Sequence, residues 1–155
     1  MQIKWNLPSP FCINVTVTPD DLDGFGHVNN VTYIHWLERC AWAHAAEAGL
    51  TMERCKELKR GMAVHRTEVT YLAAAHLGEQ LVVGNWITSA GRLRAVRHYE
   101  IFRVSDGERL LEGKVEFVCI NLETEAPTRF PVEFVEGYPV LPAVAEAIRF
   151  GRNIP

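Results

Sequence analysis

Ten residues, Asp21-Leu22-Asp23-Gly24-Phe25-Gly26-His27-Val28-Asn29-Asn30, hold two acids, two glycines, a histidine and two asparagines. Leu22, Phe25 and Val28 are the only long apolar side chains among them. The stretch reads as a polar loop whose glycines let the backbone bend and approach another group closely. It leads into residues 31–50, which carry apolar side chains at helical spacing. The first turn of a helix leaves about four N–H groups unpaired and carries partial positive charge. A loop carboxylate and free N–H donors can therefore face the same small volume. That pairing suits chemistry in which an acid attacks or activates while negative charge builds on a neighbouring oxygen. Read alone, Asp23-Gly24 is a turn, and Asp21 is a loop acid more readily than a reacting group. Asn29 or Asn30 reads as the helix N-cap.

Elements on both sides must hold this loop. Residues 11–18 alternate, with Ile13, Val15 and Val17 on one face and Cys12, Asn14, Thr16 and Thr18 on the other. That is a half-buried strand, ended by Pro19. In the helix, Ile34, Leu37, Cys40, Ala41, Ala45 and Ala48 form one stripe, which Tyr33, Trp36 and Trp42 widen. A helix apolar on most sides is expected to be wrapped by other structure. Gly49 is its expected C-cap. Residues 51–60 predict a short, charged, exposed helix, capped by Thr51 and stopped by Gly61. Four strands are expected over 62–72, 81–88, 93–104 and 110–121. Their connections are short and turn-rich, Asp106-Gly107 being a hairpin signal, which implies antiparallel neighbours. Pro127 and Pro131 suggest an extended exit, and 142–150 a short helix opened by Pro142. The expected fold class is α+β, one antiparallel sheet burying one apolar helix.

The 155 residues fit one domain, expected to span 1–155. A hydrophobic content of 48% supports a sizeable core, and 23% charged residues argue against disorder. A net charge of -3 gives no general attraction to nucleic acid or to an anionic membrane. No apolar run is long enough for a transmembrane helix, and Lys4, Asn6 and two prolines interrupt any signal-peptide core near the start. Cys12, Cys40, Cys55 and Cys119 are irregularly spaced and read as free thiols in a reducing, cytoplasmic setting.

The pattern Asp21-x-Asp23-x-x-Gly26-His27-Val28-Asn29-Asn30-x-x-Tyr33, with Glu38 in the helix, resembles the hot-dog-fold acyl-CoA thioesterases, closest to the 4-hydroxybenzoyl-CoA thioesterase family. Tyr71 before Ala73-Ala74-Ala75, then Gly78-Glu79-x-Leu81 and Asp106-Gly107, extend the likeness from about Cys12 to Pro131. The resemblance implies a long central helix wrapped by a five- to six-stranded antiparallel sheet. It also implies homodimers joined edge to edge, often assembled into homotetramers, with acyl-CoA at the subunit interface.

By position in that motif, Asp23 matches the family's catalytic acid, as nucleophile or general base. The backbone amide of Asn30 matches its carbonyl-polarising donor. His27 is placed in loop geometry or direct contact, with no metal expected. Gly26, Asn29, Tyr33 and Tyr71 are the expected substrate-side residues. Because CoA carries phosphates, Arg92 and Arg94 are expected phosphate contacts, with Arg97, Arg60, Arg66 and Lys114 as further candidates. Glu38 or Glu47 are the rival acids, since some relatives place the acid on the helix. No cofactor is expected, CoA being part of the substrate. The alternative function is a non-catalytic acyl-CoA or acyl-carrier-protein binding module.

Overall fold

The computed structural model describes residues 2–151; Met1 and residues 152–155 lie outside them. Alternating apolar side chains put five stretches into strands: β1 (Phe11–Thr16), β2 (Arg60–Tyr71), β3 (Gln80–Ala90), β4 (Arg94–Arg103) and β5 (Arg109–Asn121). They form one antiparallel sheet in the order β1-β3-β4-β5-β2. Strands β3, β4 and β5 are neighbours in series, as short connections require. The expectation fails at β2, which pairs with β5 at the far edge instead of with β3. Residues 72–79 make this possible by running along one end of the sheet. Leu72 N–H donates to Leu110 O at 2.8 Å, Arg103 Nη2 to Ala74 O at 2.8 Å, and Gly78 N–H to Val17 O at 3.0 Å. Eight residues reach up to ~27 Å, well beyond three strand spacings of ~4.8 Å.

The long helix is α1 (Asn30–Glu47), and the left-handed Gly49 (φ 83°) turns the chain out of it. The charged helix is α2 (Met52–Leu58), capped by Thr51 Oγ1 accepting from Arg54 N–H. Lys59 ends it in the left-handed region (φ 57°), not Gly61 as expected. Gly61 belongs to β2, where the Leu122 side chain fills the place of a Cβ. Two short helices follow β5: α3 (Val132–Gly137), which the proline-rich exit did not announce, and α4 (Pro142–Arg149).

Helix α1 lies on one face of the sheet. Tyr33, Trp36, Leu37 and Cys40 are buried against Leu81, Val83, Tyr99, Ile101 and Leu111. At its C-terminal end, Ala45 joins Ile87, Ala95, Phe134 and Tyr138. The other face of β3 and β4 is covered by Trp5, Leu7 and α4 through Trp86 and Val144. The helix is not wrapped on all sides within this chain. Trp42 is 44% exposed, and the stripe Ile34, Glu38, Ala41, Ala45 faces a cavity.

Two consequences can be measured. His98 sits on β4 across from Trp86 and Lys114. Burial, and then the Lys114 ammonium, push its imidazole down from 6.5 to about 4. The folded protein thus keeps His98 neutral while the unfolded chain takes up a proton, so stability drops as pH falls from about 6.5 toward 4. In His98→Gln the loss of thermal stability over that pH interval will be smaller than in the wild type. Separately, Tyr33 Oη accepts from the buried Ala75 N–H at 2.9 Å. Tyr33→Phe strands that donor and will cost about 1–3 kcal/mol in urea unfolding.

Candidate active site

Residues 21–29 form a closed finger. Leu22 and Val28 pair as an antiparallel bridge, Asp23 N–H donates to His27 O at 2.7 Å, and Asn29 N–H donates to Asp21 O at 2.8 Å. Val28 is the buried foot of the finger. Gly26 (φ 77°) turns the tip in a conformation other residues avoid, and Phe25 projects from it 88% exposed.

The two acids of the finger have different surroundings. Asp21 Oδ2 accepts from Thr18 N–H at 2.8 Å and Thr18 Oγ1 at 3.1 Å, closing a capping box over the short 3-10 turn Pro19–Asp21. Asp23 is half-buried, and its Oδ1 accepts from Phe25 N–H at 2.8 Å and His27 N–H at 3.2 Å. Its Oδ2 has no partner among the described residues. Backbone donors therefore fix the carboxylate's direction through one oxygen and leave the other free.

The finger hands the chain to α1 at Asn30. Asn29 is the N-cap, its Oδ1 accepting from Val31 N–H at 2.9 Å. Among the described residues nothing accepts from Asn30 N–H. Tyr71, at the end of β2, donates its hydroxyl to Asn30 O at 2.8 Å and stands edge-on to Tyr33 at 5.4 Å. His27 is exposed, edge-on to His76 at 5.6 Å. Asp23, Gly26, His27, Asn29, Asn30, Tyr33 and Tyr71 thus gather at one end of the sheet. Among the described residues no group of three His, Cys, Asp or Glu side chains is placed to hold a metal ion.

Arg92 and Arg94 do not join them. Arg92 lies in the β3–β4 hairpin turn and Arg94 opens β4, whereas the finger contacts the chain at the opposite end of β3. The eleven residues of β3 separate the two ends by roughly 30 Å within one subunit. Their neighbour in sequence, Arg97, points the other way from solvent. It is 2% exposed, on the α1 side of β4, with Asn85 (0%) and His44. Its position shows in the strand alternation, which places residue 97 on the same face as Tyr99 and Ile101. Of the rival acids, Glu38 lines the cavity beside α1, while Glu47 is exposed at the helix end.

The sequence model of the thioesterase-like superfamily matches residues 17–148. A 1,4-dihydroxy-2-naphthoyl-CoA thioesterase from Synechocystis is 21% identical, with a TM-score of 0.77 over 84% of this chain and 96% of that one. A DHNA-CoA thioesterase from Staphylococcus aureus is 22% identical, with a TM-score of 0.78 over 94% and 97%. A second Staphylococcus aureus protein, solved in complex with CoA, is 20% identical, with a TM-score of 0.79 over 100% and 91%. At such identities the likeness is one of fold, here a five-stranded antiparallel hot-dog sheet seated on a long helix. With the family model covering most of its length, the chain belongs to the thioesterase-like superfamily, and its class is that of the thioester hydrolases.

Proposed function

We propose that the protein hydrolyses an acyl-CoA thioester to the free acid and CoA in the cytoplasm, with no metal or bound cofactor. The observation that carries this reading is the finger. It ties one oxygen of Asp23 to backbone N–H groups and ends at the amide of Asn30, and among the described residues neither the other oxygen nor that amide has a partner. In this reading Asp23 attacks the carbonyl carbon or takes a proton from the attacking water. The carbonyl oxygen becomes an oxyanion that Asn30 N–H and the helix terminus stabilise. The C–S bond then breaks and CoA leaves as the thiol. Gly26 lets the finger backbone approach the thioester, and His27 helps set its shape. Asn29 holds the helix start, while Tyr33 and Tyr71 border the acyl group. The likeness in fold to CoA thioesterases and to a protein solved with CoA supports acyl-CoA as substrate.

A homodimer follows in the same reading from the outer edge of β2, which pairs with no strand among the described residues. This twelve-residue strand is exposed along much of its length, with Val64 at 52% and Tyr71 at 43%. An exposed apolar edge is a template for pairing with another strand. A second copy there would also cover Trp42 and close the cavity beside α1.

Two measurements test the proposal. Purified protein will release thiol from members of an acyl-CoA panel, and Asp23→Asn will lower kcat by about 10³-fold or more with unchanged circular dichroism. Full activity in Asp23→Asn sinks the assignment, and tight acyl-CoA binding without turnover would favour a binding module. Analytical ultracentrifugation will show an oligomer, and Val64→Asp will shift it toward monomer while lowering activity.

A further inference from the structure

A cavity of about 290 Å³ lies between α1 and the sheet. Ile34, one turn beyond Asn30, lines its near end, and Ala45 lines its far end, about 16 Å further along the axis at ~1.5 Å per residue. Its walls are mainly apolar, with Leu37, Val115 and Phe117 among them. Among the described residues only two lining side chains carry charge: Glu38, exposed at the open side, and Arg97, buried at the far end.

Arg97 is an unusual tenant of such a place. Its Nη1 donates to Asn85 Oδ1 at 2.7 Å and to His44 Nδ1 at 2.8 Å. The guanidinium stands over the Tyr138 ring at 5.3 Å. Among the described residues no carboxylate comes within ion-pair distance of it. His44 brings no negative charge: burial, then the Arg97 charge itself, hold its imidazole toward the neutral form. A buried cation without an anion is costly, whereas the other buried charge of the sheet, Glu100, has Arg109 at 2.7 Å. Nε and Nη2 of Arg97 are not among the sealed, unpaired atoms of the interior, and Arg97 lines the cavity.

We propose that the acyl group carries a second, distal carboxylate, and that Arg97 receives it at the closed end of this cavity. The proposal rests on the thioesterase reading and adds the substrate class. The planar fork of an arginine matches a carboxylate through two parallel hydrogen bonds. The apolar walls suit the methylenes between the thioester at Asn30 and the carboxylate at Arg97. His44 and Asn85 hold the fork in place through Nη1, Tyr138 lies beside it, and no carboxylate among the described residues competes for the donors that remain.

The test compares an ω-carboxyacyl-CoA with the methyl-terminated acyl-CoA of equal length, over medium and long chains, on wild type, Arg97→Gln and Arg97→Lys. The wild type will favour the carboxylated substrate in kcat/KM by about tenfold or more, the scale of one charge-assisted hydrogen bond. Arg97→Gln will lose the preference while still cleaving the methyl-terminated substrate, and Arg97→Lys will keep part of it. Equal rates on the pair, a wild-type preference for the methyl-terminated chain, or a preference that survives in Arg97→Gln would overturn the distal carboxylate and leave the thioesterase reading intact. Cleavage of neither substrate class, on a panel that includes short and aromatic acyl groups, would remove the thioesterase reading and this inference with it. If Arg97→Gln does not fold, the wild-type pair and Arg97→Lys still decide the matter.

Discussion

The structure depends on how α1 meets the sheet. One stripe of the helix, Tyr33, Trp36, Leu37 and Cys40, is packed against β3, β4 and β5 and fixes its axis. That seat places Asn30 at the end of the sheet where residues 72–79 cross, tied to Val17, and where Val28 of the finger is anchored on Ala75 O. Tyr33 does two jobs at this joint. Its ring belongs to the core, and its oxygen satisfies a buried amide of the crossing segment. The order of the helix start is therefore inherited from close packing, in which a small change of volume is felt. A site on a loop gains precision in this way from a rigid element beneath it.

The neighbouring stripe, only one residue round the helix, is left unfilled. Small residues at Ala41 and Ala45 keep the backbone near the sheet, yet a cavity survives between them and β2. Stability alone favours filling such a space, since voids forgo dispersion contacts. The same economy is broken at Arg97, Asn85 and His44, a polar group placed where apolar side chains would pack. Departures from core-packing rules that coincide in one place are where ligand recognition is expected to reside.

Much of this was legible in the chain. The alternation of Ile13, Val15 and Val17 and the spacing of Leu37 and Cys40 located β1 and α1, because burial on one face writes a period into the sequence. Thr51 and Pro142 marked helix starts for local reasons. Strand order was not legible at β2. Nothing local distinguishes a short hairpin from a segment like 72–79 that passes along the sheet's end, since the choice is made by tertiary bonds to Leu110, Arg103 and Val17. Helix α3 was hidden because its six residues carry too little periodicity, with Phe134 its one buried anchor. At the site, the finger residues that the motif names lie together in space. Arg92, Arg94 and Arg97 all read as candidate phosphate contacts, but a strand separates neighbours by face and a hairpin separates them by length. Only Arg97 turns inward.

The tip of the finger carries a thermodynamic consequence. Phe25 holds an almost fully hydrated ring between Gly24 and Gly26, where neither flanking residue has a side chain to shield it. Any molecule that comes to rest against the finger must strip water from that ring. Calorimetry of such an encounter would register the event as a fall in heat capacity, even where enthalpy and entropy largely cancel.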